Sequence, residues 1–221
     1  ELANSLKERK VDIACVQETK WAGTKLREIG ESYKLIYHAS GSATARITDR
    51  LMSTKISMGT STLHVVSCYA MQAGCPDEEK EKFWHYLETH VQAINDSEIL
   101  SLSGDLNGHV GRAKNNFDRN HGRQGHGNCN EGGIQIVEHA EANTFFKKRE
   151  SHLITYYSGG RTSQIDYWMV RRRDFKMVTD TKVIPCNSIA PQHRLLVLDA
   201  KVCLVQTPAR PTTKFERIKW W

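Results

Sequence analysis

The stretch ILSLSGDLNGHVG, residues 99–111, constrains the fold more than any other part of the chain. An apolar run of strand character ends in a glycine turn, and an acid and an amide follow two places apart. Side chains of extended backbone alternate faces, so Asp105 and Asn107 are expected to point the same way from the end of a strand. Ahead of it, TLHVVSCYA reads as a strand ending at Tyr69. Pro76 followed by Asp77, Glu78 and Glu79 then marks a helix start whose acids suit the positive end of the dipole. Phe83, Leu87, Val91 and Ile94 form one apolar stripe along that helix.

Elsewhere ELANSLKERK has helical spacing, and VDIACVQE reads as a short buried strand ending at Glu18. YKLIYHAS and RLMSTKISM are further strands. Residues 104–133 turn rich in Gly, Asn, His and Arg, as a long surface loop does. A short helix is expected at 131–142, a hairpin-like pair within HLITYYSGGRTSQIDYWMV, and strands near 176–184 and 194–203. Strands with interspersed helices make an α/β protein. Glu18, Asp105 and Asp166 all fall at strand ends, where α/β architectures assemble their sites.

With 221 residues and 39% hydrophobic composition the chain can bury one sizeable core, read here as one domain over 1–203 with a basic linker or tail over 204–221. A net charge of +6 and a pI near 9.0 suit a polyanionic partner. Lys147, Lys148, Arg149, Arg161, Arg171, Arg172, Arg173 and Lys176 leave residues 144–176 with an excess of five positive charges. The six cysteines form no C-x-x-C pair and no run of about 18 apolar residues occurs. A reducing compartment, nucleus or cytoplasm, and no membrane association are therefore expected. His121, His126 and Cys129 are spaced loosely like zinc ligands, but a fourth ligand and a tight knuckle are missing.

Five pieces follow one another: VQETK (16–20), SCYA (67–70), SGDLNGHVG (103–111), SQIDYWMV (163–170) and PQHRLLVLD (191–199). Their order and spacing resemble the endonuclease/exonuclease/phosphatase superfamily, which includes deoxyribonuclease I and the apurinic-site endonucleases. More narrowly, HLITYYSGGRTSQIDY, the GHVGR continuation and the tail ERIKWW resemble the endonuclease domains of non-long-terminal-repeat retrotransposons and the craniofacial development protein 2 family derived from one. The resemblance implies a four-layer α/β/β/α sandwich of two mixed β-sheets, DNase I-like. It also implies Mg²⁺-dependent hydrolysis of phosphodiesters, nicking one DNA strand, with Mn²⁺ as a substitute cation and DNA as the partner of a monomer.

Such hydrolysis needs an activated water and positive charge on the phosphoryl oxygens. On the family pattern Glu18 is the magnesium ligand, and one carboxylate is sufficient because Mg²⁺ keeps several waters. Asp105 would orient or deprotonate the water, Asn107 and Tyr69 would hydrogen-bond the phosphate, and His193 would contact it with its tautomer fixed by Asp166.

Departures from the pattern are as informative. The family opens with a strand ending in an active-site Asn, whereas this chain opens in the helix that follows. Relatives carry a Gly-rich strand and turn between Ser40 and Arg46, and an extra turn and strand near Ala142–Thr144. The family's closing Ser-Asp-His reads Pro191-Gln192-His193 here. Neutral Gln192 cannot replace the charge of an Asp, which opens an alternative: a domesticated DNA- or chromatin-binding protein with weakened catalysis.

Overall fold

The computed structural model describes residues 2–17, 25–37, 44–59, 61–113, 117, 119–139, 143–185 and 191–201. Its centre is a five-stranded mixed sheet in the order β3-β4-β5-β6-β9, built from Thr44–Arg46, Leu51–Met58, Ser61–Tyr69, Ile99–Asp105 and Asp166–Val170. β5 and β6 are parallel and joined by helix α2, Asp77–Ala93, while the other neighbours are antiparallel. Parallel strands need such a crossover, and it carries both strands to the same edge.

One face of this sheet is apolar. Val66 and Cys68 of β5, Leu100 and Leu102 of β6, and Tyr167 and Met169 of β9 pack against Phe83, Trp84 and Leu87 of α2. Ile136 and Val137 of α3, Glu131–His139, complete the cluster. Burying each of the larger side chains contributes about 1.5–3 kcal/mol, so this layer supplies most of the hydrophobic stabilisation. The expected helical stripe is met at Phe83 and Leu87, and Trp84 widens it.

The opposite face is more polar. Ser67 and Ser103 are register partners, and Ser101 accepts a 2.6 Å hydrogen bond from the indole N–H of Trp168. Residues 11–17, expected as a buried strand, join no ladder. They cross this face in irregular conformation, with Cys15 against the hydroxyls of Ser67 and Ser103 and the Gln17 amide donating to Ser67 Oγ at 3.2 Å. An apolar alternation reports which side of a segment is buried, and burial here is achieved through side chains without backbone pairing.

Outside the central sheet, β1 (Lys25–Gly30) pairs with β2 (Tyr33–Tyr37) beside α1 (Leu2–Glu8), and β10 (Val178–Val183) pairs with β11 (Leu196–Ala200) against β9. Among the described residues the second sheet therefore consists of two separate antiparallel ladders. The hairpin β7–β8, Tyr156–Ser158 and Arg161–Ser163, turns through Gly159-Gly160, both at positive φ. Among the described residues no helix is long and apolar enough to cross a membrane.

The arginine run 171–173 has a structural role. Arg171 donates to the carbonyls of Val91 (3.1 Å), Ile94 (2.9 Å) and Asn95 (3.0 Å), Arg172 to that of Arg119 (2.8 Å), and Arg173 to that of Glu98. Bare carbonyls and the negative dipole end at the C-terminus of α2 attract Arg171, while Arg172 and Arg173 bond loop carbonyls outside the helix. The three arginines follow the far end of β9 from Asp166, so they do not line the site, contrary to what their charge alone suggests.

Gly104 is where the chain passes most tightly. Its φ is +151°, and a Cβ there would stand 1.8 Å from the carbonyl oxygen of Cys68. Replacing Gly104 with Ala is expected to destabilise the fold by about 3 kcal/mol or more, from steric overlap plus backbone strain. Chemical denaturation measures this, and an unshifted midpoint would contradict the packing described.

Candidate active site

The ladder positions the site. Tyr69 at the end of β5 is the register partner of Asp105 at the end of β6, and Asp105 that of Asp166 at the start of β9. Register partners share a face, so three functional side chains stand in one row on the polar side of the sheet. Gly104 makes this possible by letting β6 run close beside Cys68 one residue earlier. His193 reaches the row from another direction. It forms an antiparallel bridge with Tyr156, held by N–H bonds from Tyr157 to the Gln192 carbonyl (2.9 Å) and from Arg194 to the Thr155 carbonyl (2.8 Å).

His193 Nδ1 is 3.0 Å from Asp166 Oδ2, and the Tyr156 ring meets the imidazole edge-on at 4.8 Å between centroids. A carboxylate accepts from Nδ1–H, which assigns the tautomer and leaves proton exchange to Nε2. Asp105 is buried, 6% exposed, and its Oδ1 accepts the Asn107 backbone N–H at 3.0 Å. One ligand atom each from Asp105, Asp166 and His193 lie within 4.8 Å of one another. Two hard oxygen donors so close together fit a divalent cation, with the imidazole, already bonded to Asp166, beside them.

Asn107 is near Asp105 for a different reason from the one the sequence suggests. The strand ends at Asp105, and Asn107 adopts a left-handed φ of +49°. Strand alternation no longer governs its direction, and its amide donates to the Ala70 carbonyl at 3.0 Å. There it lines a cavity of about 330 Å³ with Phe83, Trp84 and Leu106, between the starts of α2 and α3. Glu18 lies outside the described residues, as do residues 204–221 and the deviant segments 40–43 and 142. Gln192 is exposed and donates to Ser158 Oγ at 3.1 Å, turned toward the β7–β8 hairpin.

Three supporting residues carry no sequence signal of their own. Thr155 is fully buried, and its hydroxyl oxygen accepts the backbone N–H groups of Ile165 (3.0 Å) and Asp166 (3.1 Å), fixing the start of β9. Tyr167, fully buried on the apolar face, sets its hydroxyl 3.0 Å from the Gly108 carbonyl and accepts from the Val110 N–H at 3.3 Å, tying down the loop after Asp105. Burial pushes its phenol well above the usual tyrosine range. Arg50 stacks on Tyr69, its guanidinium carbon 4.8 Å from the ring centroid.

The zinc-like trio is not assembled. Both ring nitrogens of buried His121 are engaged by backbone, Nε2 with the Gly111 carbonyl (2.9 Å) and Nδ1 with the Arg123 N–H (3.0 Å). His126 faces Glu150 at 3.1 Å. Next to the row, desolvation pushes the thiol of partly buried Cys15 up to about 11 and that of fully buried Cys68 higher still, which disfavours thiolate chemistry there.

Two outcomes follow from this geometry. Thr155→Val, which leaves two buried N–H groups without an acceptor, is expected to cost about 2–4 kcal/mol in a denaturation experiment. A value near zero would show that Thr155 does not hold β9. Iodoacetamide at pH 8 is expected to leave Cys15 and Cys68 of the folded protein unmodified, with Cys15 labelling rising only as the pH climbs toward 11. Labelling at the rate of the unfolded chain, read by mass spectrometry, would contradict the burial of Cys68 and the raised thiol of Cys15.

No family model matches the chain. Craniofacial development protein 2 from Bos taurus is 24% identical over 226 residues, covering 90% of this chain. The chain spans 38% of the length of that relative. The endonuclease domain of TRAS1, a telomere-specific non-LTR retrotransposon, superposes with a TM-score of 0.52 at 14% identity, covering 70% of this chain and 63% of that one. An AP endonuclease from Archaeoglobus fulgidus superposes with a TM-score of 0.50 at 16% identity, covering 70% and 66% respectively. Each is an α/β structure whose fold this chain shares. The chain thus has the mixed α/β fold of these two endonuclease structures, built around one central sheet.

Proposed function

We propose that this protein hydrolyses phosphodiester bonds of DNA, nicking one strand to leave a 3′ hydroxyl, with a bound Mg²⁺ or Mn²⁺, and that it descends from a retrotransposon endonuclease. The observation that carries the reading is the convergence of Asp105, Asp166 and His193 within 4.8 Å beside Tyr69. Glu18, which the sequence pattern nominates, would hold the cation beside the Asp105 and Asp166 carboxylates, while His193 keeps both ring nitrogens for hydrogen bonds. When bound, the cation neutralises charge building on the phosphoryl and leaving oxygens.

The chain's own groups do the rest. The Asp105 carboxylate, steadied by the Asn107 N–H, accepts a proton from the attacking water or orients it in line. Asp166 holds the His193 ring so that Nε2 donates to a non-bridging oxygen. Tyr69 donates its hydroxyl to the phosphate from the neighbouring strand. Asn107 keeps one amide hydrogen on the Ala70 carbonyl and offers the second. A nuclear or cytoplasmic location and a monomeric state accompany this reading.

A second reading, a DNA- or chromatin-binding protein of the same fold with weakened catalysis, is favoured by one observation. Gln192, where the family pattern has an acid, bonds to Ser158.

Nicking of supercoiled plasmid distinguishes them. The full chain with Mg²⁺ is expected to nick, EDTA to abolish nicking, and Asp105→Ala and His193→Ala each to slow it by about 100-fold or more. Equal rates for all three proteins would remove both residues from the mechanism. Salt-dependent DNA binding without nicking would establish the second reading.

A further inference from the structure

We infer that the cavity between α2 and the far end of β9 is a receptor for a cationic, aromatic segment, and that its occupant is residues 214–221 of this chain, KFERIKWW. The cavity has a volume of about 530 Å³, within the range of ordinary ligand pockets. Leu87, Leu100, Leu102 and Met169, all members of the central core, give it an apolar floor, and the exposed Glu88 and Glu138 stand at its mouth. It lies on the α2 face of the central sheet, away from the polar row that carries Asp105 and Asp166. Its occupant is therefore independent of the hydrolytic reading.

The match is one of charge and of apolar surface. Glu88 accepts the Gln92 amide at 3.0 Å, and among the described residues neither Glu88 nor Glu138 pairs with a cation. Arg171 and Arg172 also line the cavity, but their guanidinium groups are turned to backbone carbonyls. Residues 214–221 carry Lys214, Arg217 and Lys219 against a single acid, Glu216, and intersperse them with Phe215, Ile218, Trp220 and Trp221. Indole and phenyl rings bury large apolar areas, and the flexible Met169 adapts to a ring placed on it. Lysine stems lie along apolar surface while their heads reach the carboxylates.

Connectivity brings the segment to that end of the molecule. β11 runs away from His193, and beyond it the Lys201 N–H donates to the Met177 carbonyl at 2.8 Å. Met177 closes the 3₁₀ helix Arg172–Met177, whose first residue lines the cavity, so Lys201 stands about 10 Å from it along that helix. The link from Lys201 to Lys214 can span up to about 45 Å, several times that distance.

The experiment adds a fluorescein-labelled synthetic peptide of residues 214–221 to the full chain and reads anisotropy. In wild type the tethered segment competes with the peptide at an effective concentration on the order of millimolar. The full chain carrying Trp220→Ala and Trp221→Ala leaves the cavity to the peptide, so it is expected to bind it about tenfold more tightly than wild type does. Adding Glu88→Lys and Glu138→Lys to that variant, both at exposed positions, is expected to weaken the peptide about fivefold. Equal affinity of wild type and the double-alanine variant, equal affinity for a scrambled peptide of the same composition, or no effect of the charge reversal overturns the inference. So does a wild-type dimer in sedimentation that the two alanines dissociate, because the occupant would then be a second copy's segment. Should the lysine pair unfold the chain by circular dichroism, the comparison of wild type with the double-alanine variant decides alone.

Discussion

The parallel pairing of β5 with β6 is the constraint on which the rest of the structure depends. Because α2 must carry the chain back across the sheet between them, both strands end at the same edge, and Tyr69 and Asp105 emerge side by side. β9 enters antiparallel from that edge, so its first residue, Asp166, falls opposite Asp105. A one-residue slip of either pairing would turn a carboxylate into the apolar layer under α2, where an unpaired charge is too costly to keep. Hydrophobic patterning on one face thus enforces the chemistry on the other.

Electrostatics divides the molecule by end as well as by face. Near the C-terminus of α2, Arg171 satisfies carbonyls that the helix leaves bare, and Arg172 and Arg173 bond the loop carbonyls of Arg119 and Glu98. At the site end, two acids, an imidazole and one stacked arginine stand together on the polar face. The same residue type is a helix cap in one place and a half-buried cation stacked on a ring in the other. The difference lies in whether backbone acceptors are within reach, which local sequence does not encode.

Much of the fold was legible beforehand. The α2 helix announces itself through Pro76, three acids and an apolar stripe, and β4, β5 and β6 are read within a few residues of where they lie. The motif order brought Asp105, Asp166 and His193 forward as partners, and they do converge. Less legible was segment 11–17, whose alternation mimics a strand while its contacts run through Cys15 and Gln17. Asn107 was placed on the correct loop for a reason that fails, because a left-handed residue ends the alternation. Thr155 and Tyr167 act through single hydroxyls on neighbouring backbone, which no periodicity reveals.

By itself the sequence determined the α/β class and the place of Asp105 and Asp166 at strand ends, since these follow from side-chain period and helix-terminus chemistry, whereas Gly104, read as a turn, lies inside β6, where the approach to Cys68 demands a bare Cα. Only the tertiary structure decided which arginines are spent on backbone carbonyls, which histidine pairs with an acid and which is locked in a loop, and that Arg50 stacks on Tyr69. Those outcomes depend on strand order and register, and residues more than a hundred positions apart become neighbours only once the sheet has closed around its core.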